Sequence, residues 1–369
     1  MTRREMLALA AAAPFVRAAA TPAPPVVIAP TSYTDKLDDQ ITWMFDQLGG
    51  AGRLVKNKTV TIKMNLTGSP SQKFQGRALG VTHYTHPATV MAMVRVLDEA
   101  GAKRIRLVES AWASSGPLEE YLLDAGWNVR ALQSVSKKVE FENTNALGLG
   151  KKYTRLKVAN GGHVFPWFDL NHSYEDTDVF VSMAKLKNHA TCGVTLSMKN
   201  CFGITPASIY GDDAGIDEPN EKPTKGRVAV CHNGKRQPSK VAASEIDPST
   251  SREPGYRMPR IVADLAASRP IDIAFIDGIE TVSGGEGPWI RDLKYVTPGV
   301  LILGTNAVTT DTVATAVMGY DPRSPRGSKP FEACDNTLLL AESLGVGSAD
   351  LSRIEVRGAP IAKVRYPFR

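Results

Sequence analysis

The chain has 369 residues, a formal charge of +6 and a hydrophobic content of 43%. Residues 1–20 hold three Arg and one Glu, so about +4 is left for the rest, spread without a basic block interleaved with aromatics; this argues against nucleic acid as a partner. Length and apolar content suit a large α/β domain with a core of its own.

The first stretch, "TRREML", pairs Arg3 with Arg4 ahead of an apolar run over 6–16, and Ala18 and Ala20 supply a small-x-small cleavage site. That order predicts a twin-arginine export signal at 1–20, recognised by the twin-arginine machinery, with a periplasmic or otherwise exported product. The run is too short for the ~20 residues that span a bilayer, so no stable membrane insertion follows cleavage.

Residues 21–369 then read as one α/β domain. "TPAPP" (21–25) is a stiff linker and "VVIAP" (26–30) a short buried strand. Helical periodicity over 35–48 ends at Gly49-Gly50. "KTVTIKMN" (58–65) is a strand whose end carries Lys63 and Asn65. The stretch 86–102 is a helix that starts at Pro87 and closes at Gly101. "RIRLVES" (104–110) is a strand and 116–127 a short helix. Residues 130–175 are less regular, with β candidates in "KVEFEN" and "TRLKVA"; the sheet resumes at Val179.

Six prolines and many charges set 216–260 apart as a polar insertion, a lid or loose segment with little apolar surface to offset ordering. A helix (261–268), two strands (271–278 and 299–304) and a helix (309–319) complete the pattern. Strand–helix alternation predicts a mostly parallel sheet with helices on both faces, in one body or in two lobes with a cleft between them.

Ligands of an open parallel sheet bind beyond the carboxyl ends of its strands. Several polar groups fall there: Lys63 and Asn65, Glu109 and Ser110, Lys185, Lys187 and His189, Asp277, and Asn306 with Asp311. No Asp or Glu lies between Asp178 and Asp212, so Lys185, Lys187 and Lys199 have no local neutraliser. They suit a phosphate or carboxylate guest, and a lysine among apolar neighbours can also lose its proton and act as base or nucleophile. Lys199-Asn200 sits between Met198 and Cys201-Phe202, unlike an ordinary surface face. "SGGEGPW" (283–289) can present backbone N–H groups to an anion through Gly284, Gly285 and Gly287, although a plain turn has the same composition. His83 and His86 have H-x-x-H spacing, but Pro87 makes His86 a helix-start residue, which weighs against a metal pair. The cysteines Cys192, Cys201, Cys231 and Cys334 show no C-x-x-C spacing, which argues against a zinc ribbon or ferredoxin-type cluster and leaves them structural, buried or paired.

Taken together, "VKNKTVTIKMN", "THP" before a helix, "MAKLKNHATCGVTLSMKNCFG", "IDGIETVSGGEGP" and "GTNAVTTDTVATAVMGYDP" resemble, in order and spacing over about 26–322, the motifs of the domain-of-unknown-function 362 family. Some members carry ferredoxin-type modules, which implies redox chemistry; the clustered cysteines for that are missing here. A looser resemblance to the lactate racemase family rests on His189, Gly193 and Lys199 after a strand. It implies a lysine-held cofactor in a two-lobed protein and does not extend to nickel chemistry.

The expectation is an exported enzyme binding a small anionic substrate or cofactor, with acid–base or redox chemistry. Lys199, His189 and Asp277 are its candidate catalytic groups. Lys63, Asn65, Lys185, Lys187, Asn200, Gly284, Gly285, Gly287 and Asp311 are its candidate ligand-binding groups. The alternative is a non-catalytic periplasmic binding or accessory protein for a metal, an iron–sulfur cluster or an anionic metabolite.

Overall fold

The computed structural model describes residues 22–111, 114, 116–147 and 152–368; the expected export signal lies outside them. The apolar runs between glycine and proline breaks become the strands of a single large sheet: β1 (Ala23–Pro30), β2 (Thr59–Lys63), β3 (Arg104–Glu109), β4 (Val139–Asn143), β5 (Val179–Lys185), β6 (Ile273–Gly278), β7 (Val300–Gly304) and β8 (Ile354–Gly358). Their spatial order is β8-β1-β7-β6-β5-β2-β3-β4. Strand β7 is antiparallel to both β1 and β6, and every other neighbouring pair is parallel. The carboxyl ends of β2, β3, β5 and β6 therefore meet along one edge.

Side chains alternate across the strands, so the sheet feeds two cores. Val181 and Met183 of β5 and Phe275 of β6 face one side, covered by α1 (Leu37–Gln47) and α2 (Pro87–Glu99). Phe180, Ala184, Ala274 and Ile276 face the other. That side is covered by α3 (Leu196–Asn200), α4 (Pro254–Ser268), α5 (Ala307–Val317) and α6 (Thr337–Ser343). Helix α2 starts as its sequence requires: Pro87 occupies the first turn and the His86 side chain accepts the Ala88 N–H. Every residue of α5 is buried, so this helix is apolar or small all round rather than amphipathic.

Two irregular stretches resolve differently from each other. "KVEFEN" supplies β4, the sheet edge beside β3. "TRLKVA" instead contributes to an antiparallel hairpin, Tyr153–Lys157 with Trp167–Asn171, outside the main sheet. The proline-rich insertion is tied down at particular points. Residues 254–260 form the first turns of α4. Val230 and Cys231 are fully buried, and the buried Arg257 guanidinium bonds Glu245 at 2.8 Å. All four cysteines are free and buried, and burial pushes their thiols up to about 12.

Candidate functional site

Strand β2 ends at Lys63, and the neighbouring β3 ends at Glu109. The parallel register brings these ends together, and Lys63 Nζ lies 2.6 Å from Glu109 Oε1. Glu109 also accepts the Leu66 N–H at 2.8 Å and the Ser110 N–H at 2.9 Å. Partners on every side are what keep a buried ion pair tolerable. Lys63 Nζ donates to Asn200 Oδ1 at 2.9 Å, and Asn65 Nδ2 donates to the same oxygen at 2.9 Å. Asn200 in turn donates to Ser182 Oγ at 3.0 Å. The other Asn65 amide atom, Oδ1, is buried without a hydrogen-bond partner.

Asn200 and Lys199 ride on α3, and Asp311 holds the start of that helix. Its carboxylate accepts the Ser197 N–H (2.9 Å), the Ser197 hydroxyl (2.5 Å) and the Met198 N–H (2.9 Å). Burial raises the Asp311 carboxyl to about 7 while these donors pull it back. The turn into α3 needs such support, because Leu196 sits at φ 45°, a left-handed conformation costly for its side chain. Just after α3, the backbone crosses the Lys63–Glu109 pair at Gly203. A Cβ there would lie 2.7 Å from Lys63 Nζ and 3.0 Å from Glu109 Oε1, so any larger residue must displace the ends of that pair.

These groups floor a cavity of about 640 Å³ whose walls include His189, Lys199 and Phe202. The insertion adds Asp212, Arg227 and His232, and the glycine loop adds Glu286 and Trp289. The Lys199 ammonium lies 4.5 Å from the centre of the Phe202 ring, and no carboxylate among the described residues lies within ion-pair distance of it. Burial lowers the Lys199 pKa below the ordinary lysine value; nearby Cys192 and Glu286 pull it back, and Lys63 and Arg227 add to the lowering. Arg227 is buried and donates to neutral acceptors, Thr205 O and Asn145 Oδ1, each at 2.6 Å. Its guanidinium is 5.9 Å from the same Phe202 ring.

His189 accepts the Thr191 N–H on Nδ1 at 3.1 Å. In the neutral imidazole the proton is then on Nε2. Burial, with Lys199 beside it, holds the His189 pKa well below the usual value. Burial likewise lowers His232 to about 4. At neutral pH the site therefore presents two uncharged imidazoles beside Lys199 and Arg227, neither of which has a carboxylate within ion-pair distance among the described residues. The wall also carries carboxylates beyond ion-pair distance: Asp212 accepts the Ala229 N–H at 2.6 Å and acts through space on Arg227, and Glu286 accepts the Ala190 N–H at 3.0 Å and acts through space on Lys199.

The cavity thus gathers Lys63, Asn65, His189, Lys199 and Asn200. Glu109 and Ser110, also placed at a strand end by sequence, line it too; the remaining candidate residues lie outside its lining. Lys185 and Asp277, both fully buried, pair at 3.2 Å. Tyr33 donates to Asp277 Oδ1 at 2.8 Å, and the His86 N–H donates to Oδ2 at 3.0 Å. Lys187 donates to the His83 carbonyl at 2.9 Å. Asp311 stands behind α3. Gly284 spends its N–H on Asn188 Oδ1 at 3.0 Å, while Gly285 lies against Ile290 and Gly287 against the Trp289 indole. Of the three lysines without a local acid, Lys185 finds one on a distant strand, Asp277. Among the described residues, no group of three or more His, Cys, Asp or Glu is placed to hold a metal.

Sequence reasoning passed over Arg227, His232, Phe202 and Trp289. The available signal was "GRVAVCHNG" (226–234), an apolar core bracketed by Arg and His inside an otherwise polar insertion.

The model of the domain of unknown function DUF362 matches residues 60–316, which include every lining residue named above. The chain belongs to the DUF362 family. This DUF362 protein is 24% identical over 284 residues to a thylakoid-associated protein of Synechocystis sp., covering 76% of this chain and 69% of the relative. A crystal structure of a Thermotoga maritima protein aligns at 12% identity and a TM-score of 0.35. That alignment covers 70% of the DUF362 chain and 55% of the Thermotoga chain, so the DUF362 protein spans little more than half of that structure.

Proposed function

We propose that this DUF362 protein binds a small organic or inorganic anion in the cavity beyond the strand ends and acts on it by acid–base chemistry. The observation that carries the reading is the pair of basic groups, Lys199 and Arg227, that line the cavity with no carboxylate within ion-pair distance among the described residues. An anion supplies the charge they lack. His189, neutral with its proton on Nε2, serves as a hydrogen-bond donor to the anion. Lys199 binds the anion as an ammonium and, with its lowered pKa, gives up a proton more readily than an ordinary lysine. Asp277 supports the edge through Lys185 rather than by touching the ligand.

Calorimetric titration of phosphate and acetate into wild type and Lys199→Met tests this. We expect binding by wild type, about tenfold or more weaker in the variant, and binding by wild type that fades at alkaline pH as Lys199 loses its proton. Equal affinity in the two proteins refutes the reading. Ligand that binds in this way and is recovered unchanged after long incubation favours a binding or accessory protein over an enzyme.

Export through the twin-arginine route is part of the proposal, supported by the Arg3-Arg4 pair and the apolar run behind it. Replacing Arg3 and Arg4 together by Lys is expected to retain uncleaved precursor in the cytoplasm, and normal processing of that variant refutes the route.

A further inference from the structure

The cavity is polarised from floor to mouth. Lys63, Asn65 and Asn200 at the floor are at most 4% exposed. At the mouth, Val228 of the insertion is 51% exposed and Trp289 of the glycine loop 46%. These are two of the few large apolar side chains that the described surface leaves open, and both line the same cavity. Isolated exposed apolar residues need no explanation, but a pair on the rim of a charged pocket marks a contact surface for an apolar group.

Trp289 is built into this position. A Cβ on Gly287 would overlap the indole, so the glycine lets the ring fold back over the loop. Between floor and rim stands Phe202, with the Lys199 ammonium and the Arg227 guanidinium both near its ring. Volume points the same way. A cavity of about 640 Å³ far exceeds a bare oxyanion, given that a water's share of the liquid is about 30 Å³.

We infer that the ligand is an organic anion whose charged group meets Lys199 and Arg227 while an aromatic or similarly flat apolar portion lies towards Trp289 and Val228. This rests on the anion-binding reading above and narrows it to a substrate class: aryl carboxylates or aryl phosphates rather than free phosphate or short aliphatic acids. Aromatic contact and removal of apolar area from water supply the preference.

The test titrates phenyl phosphate, inorganic phosphate, benzoate and acetate into the full-length protein. Phenyl phosphate is expected to bind about tenfold or more tightly than inorganic phosphate, and benzoate similarly over acetate. Trp289→Ala is expected to bring both ratios to within about threefold. Val228→Asn reduces the ratios in the same direction and guards against a local effect of the indole alone. Lys199→Met weakens all four ligands. Equal binding of phenyl phosphate and phosphate by wild type, or ratios untouched by both rim variants, overturns this inference and leaves the anion site standing. Failure of every anion to bind overturns both.

Discussion

Replacing Asp277 by Asn separates support of the site from participation in it. The carboxylate is fully buried. It receives Lys185 Nζ at 3.2 Å, Tyr33 OH at 2.8 Å and 3.0 Å, the His86 N–H at 3.0 Å and the Ile279 N–H at 3.2 Å. An amide keeps one acceptor. Its oxygen fits best where Lys185, His86 and Thr89 converge, which leaves the NH₂ group against the Ile279 N–H. The larger loss is the charge, since removing one partner of a buried pair costs about 3–5 kcal/mol. Lys185 can escape by releasing its proton, a step burial already favours. Doing so at pH 7 from the ordinary lysine value costs no more than about 5 kcal/mol, which caps the penalty. In a chain of this size about 2 °C of melting temperature goes with each kcal/mol, so the expected drop is about 6–10 °C. Adding Lys185→Met removes the stranded ammonium and should restore at least half of the loss. Urea unfolding followed by circular dichroism on the two single variants and the double closes the cycle. Asp277→Asn within about 1 kcal/mol of wild type, or a double variant worse than the sum of the singles, refutes the account. Reduced anion affinity in its folded fraction instead brings Asp277 back into the site.

Two further outcomes follow from the geometry. Gly203→Val places a side chain against Lys63 Nζ and Glu109 Oε1; separating that buried pair should cost about 3–5 kcal/mol and abolish anion binding in calorimetry, and a variant as stable as wild type would show that the crossing can widen. His83 is fully buried, and desolvation lowers its pKa to about 3. The unfolded chain takes up a proton near pH 6.5 that the folded chain refuses. The His83 contribution to stability is thus intact above about pH 7 and falls away between about pH 6.5 and 3, at up to about 1.4 kcal/mol per pH unit. Urea midpoints at pH 5 and pH 7 should differ less in His83→Asn than in wild type, and an unchanged difference counts against the buried neutral imidazole.

The strands were legible because each combines apolar content with β-branched residues and a nearby break: 58–65, 104–110, 179–185, 271–278 and 299–304 all lie in the sheet. The reversal of β7 was not, since direction depends on which neighbour a strand finds and "GVLILG" reads alike both ways. Strand β8, with an exposed Glu355 and a half-buried Arg357 on it, carries little of the apolar signal by which strands are recognised. At the site, Lys63, Asn65, His189, Lys199 and Asn200 could be found because they follow strands or flank α3. Arg227 and His232 escaped because the insertion that bears them has no periodicity; only packing against α4 brings that turn to the cavity. Lys185 and Lys187 misled in one respect. A lysine after a strand looks unneutralised when only its own segment is read, and Asp277 is 92 positions away.

Strand β1 is paired on one side with residues 300–304 and on the other with residues 354–358. It is the first strand of the sheet to be translated, and its partners are the last. Val26, Val27, Ile28 and Ala29, fully buried in the finished fold, are therefore bare until those partners are made, an edge of the kind that aggregates. Pairing so distant in sequence slows folding more than it weakens the folded state. A chain ending before Ile354 keeps one flank of β1 open for good.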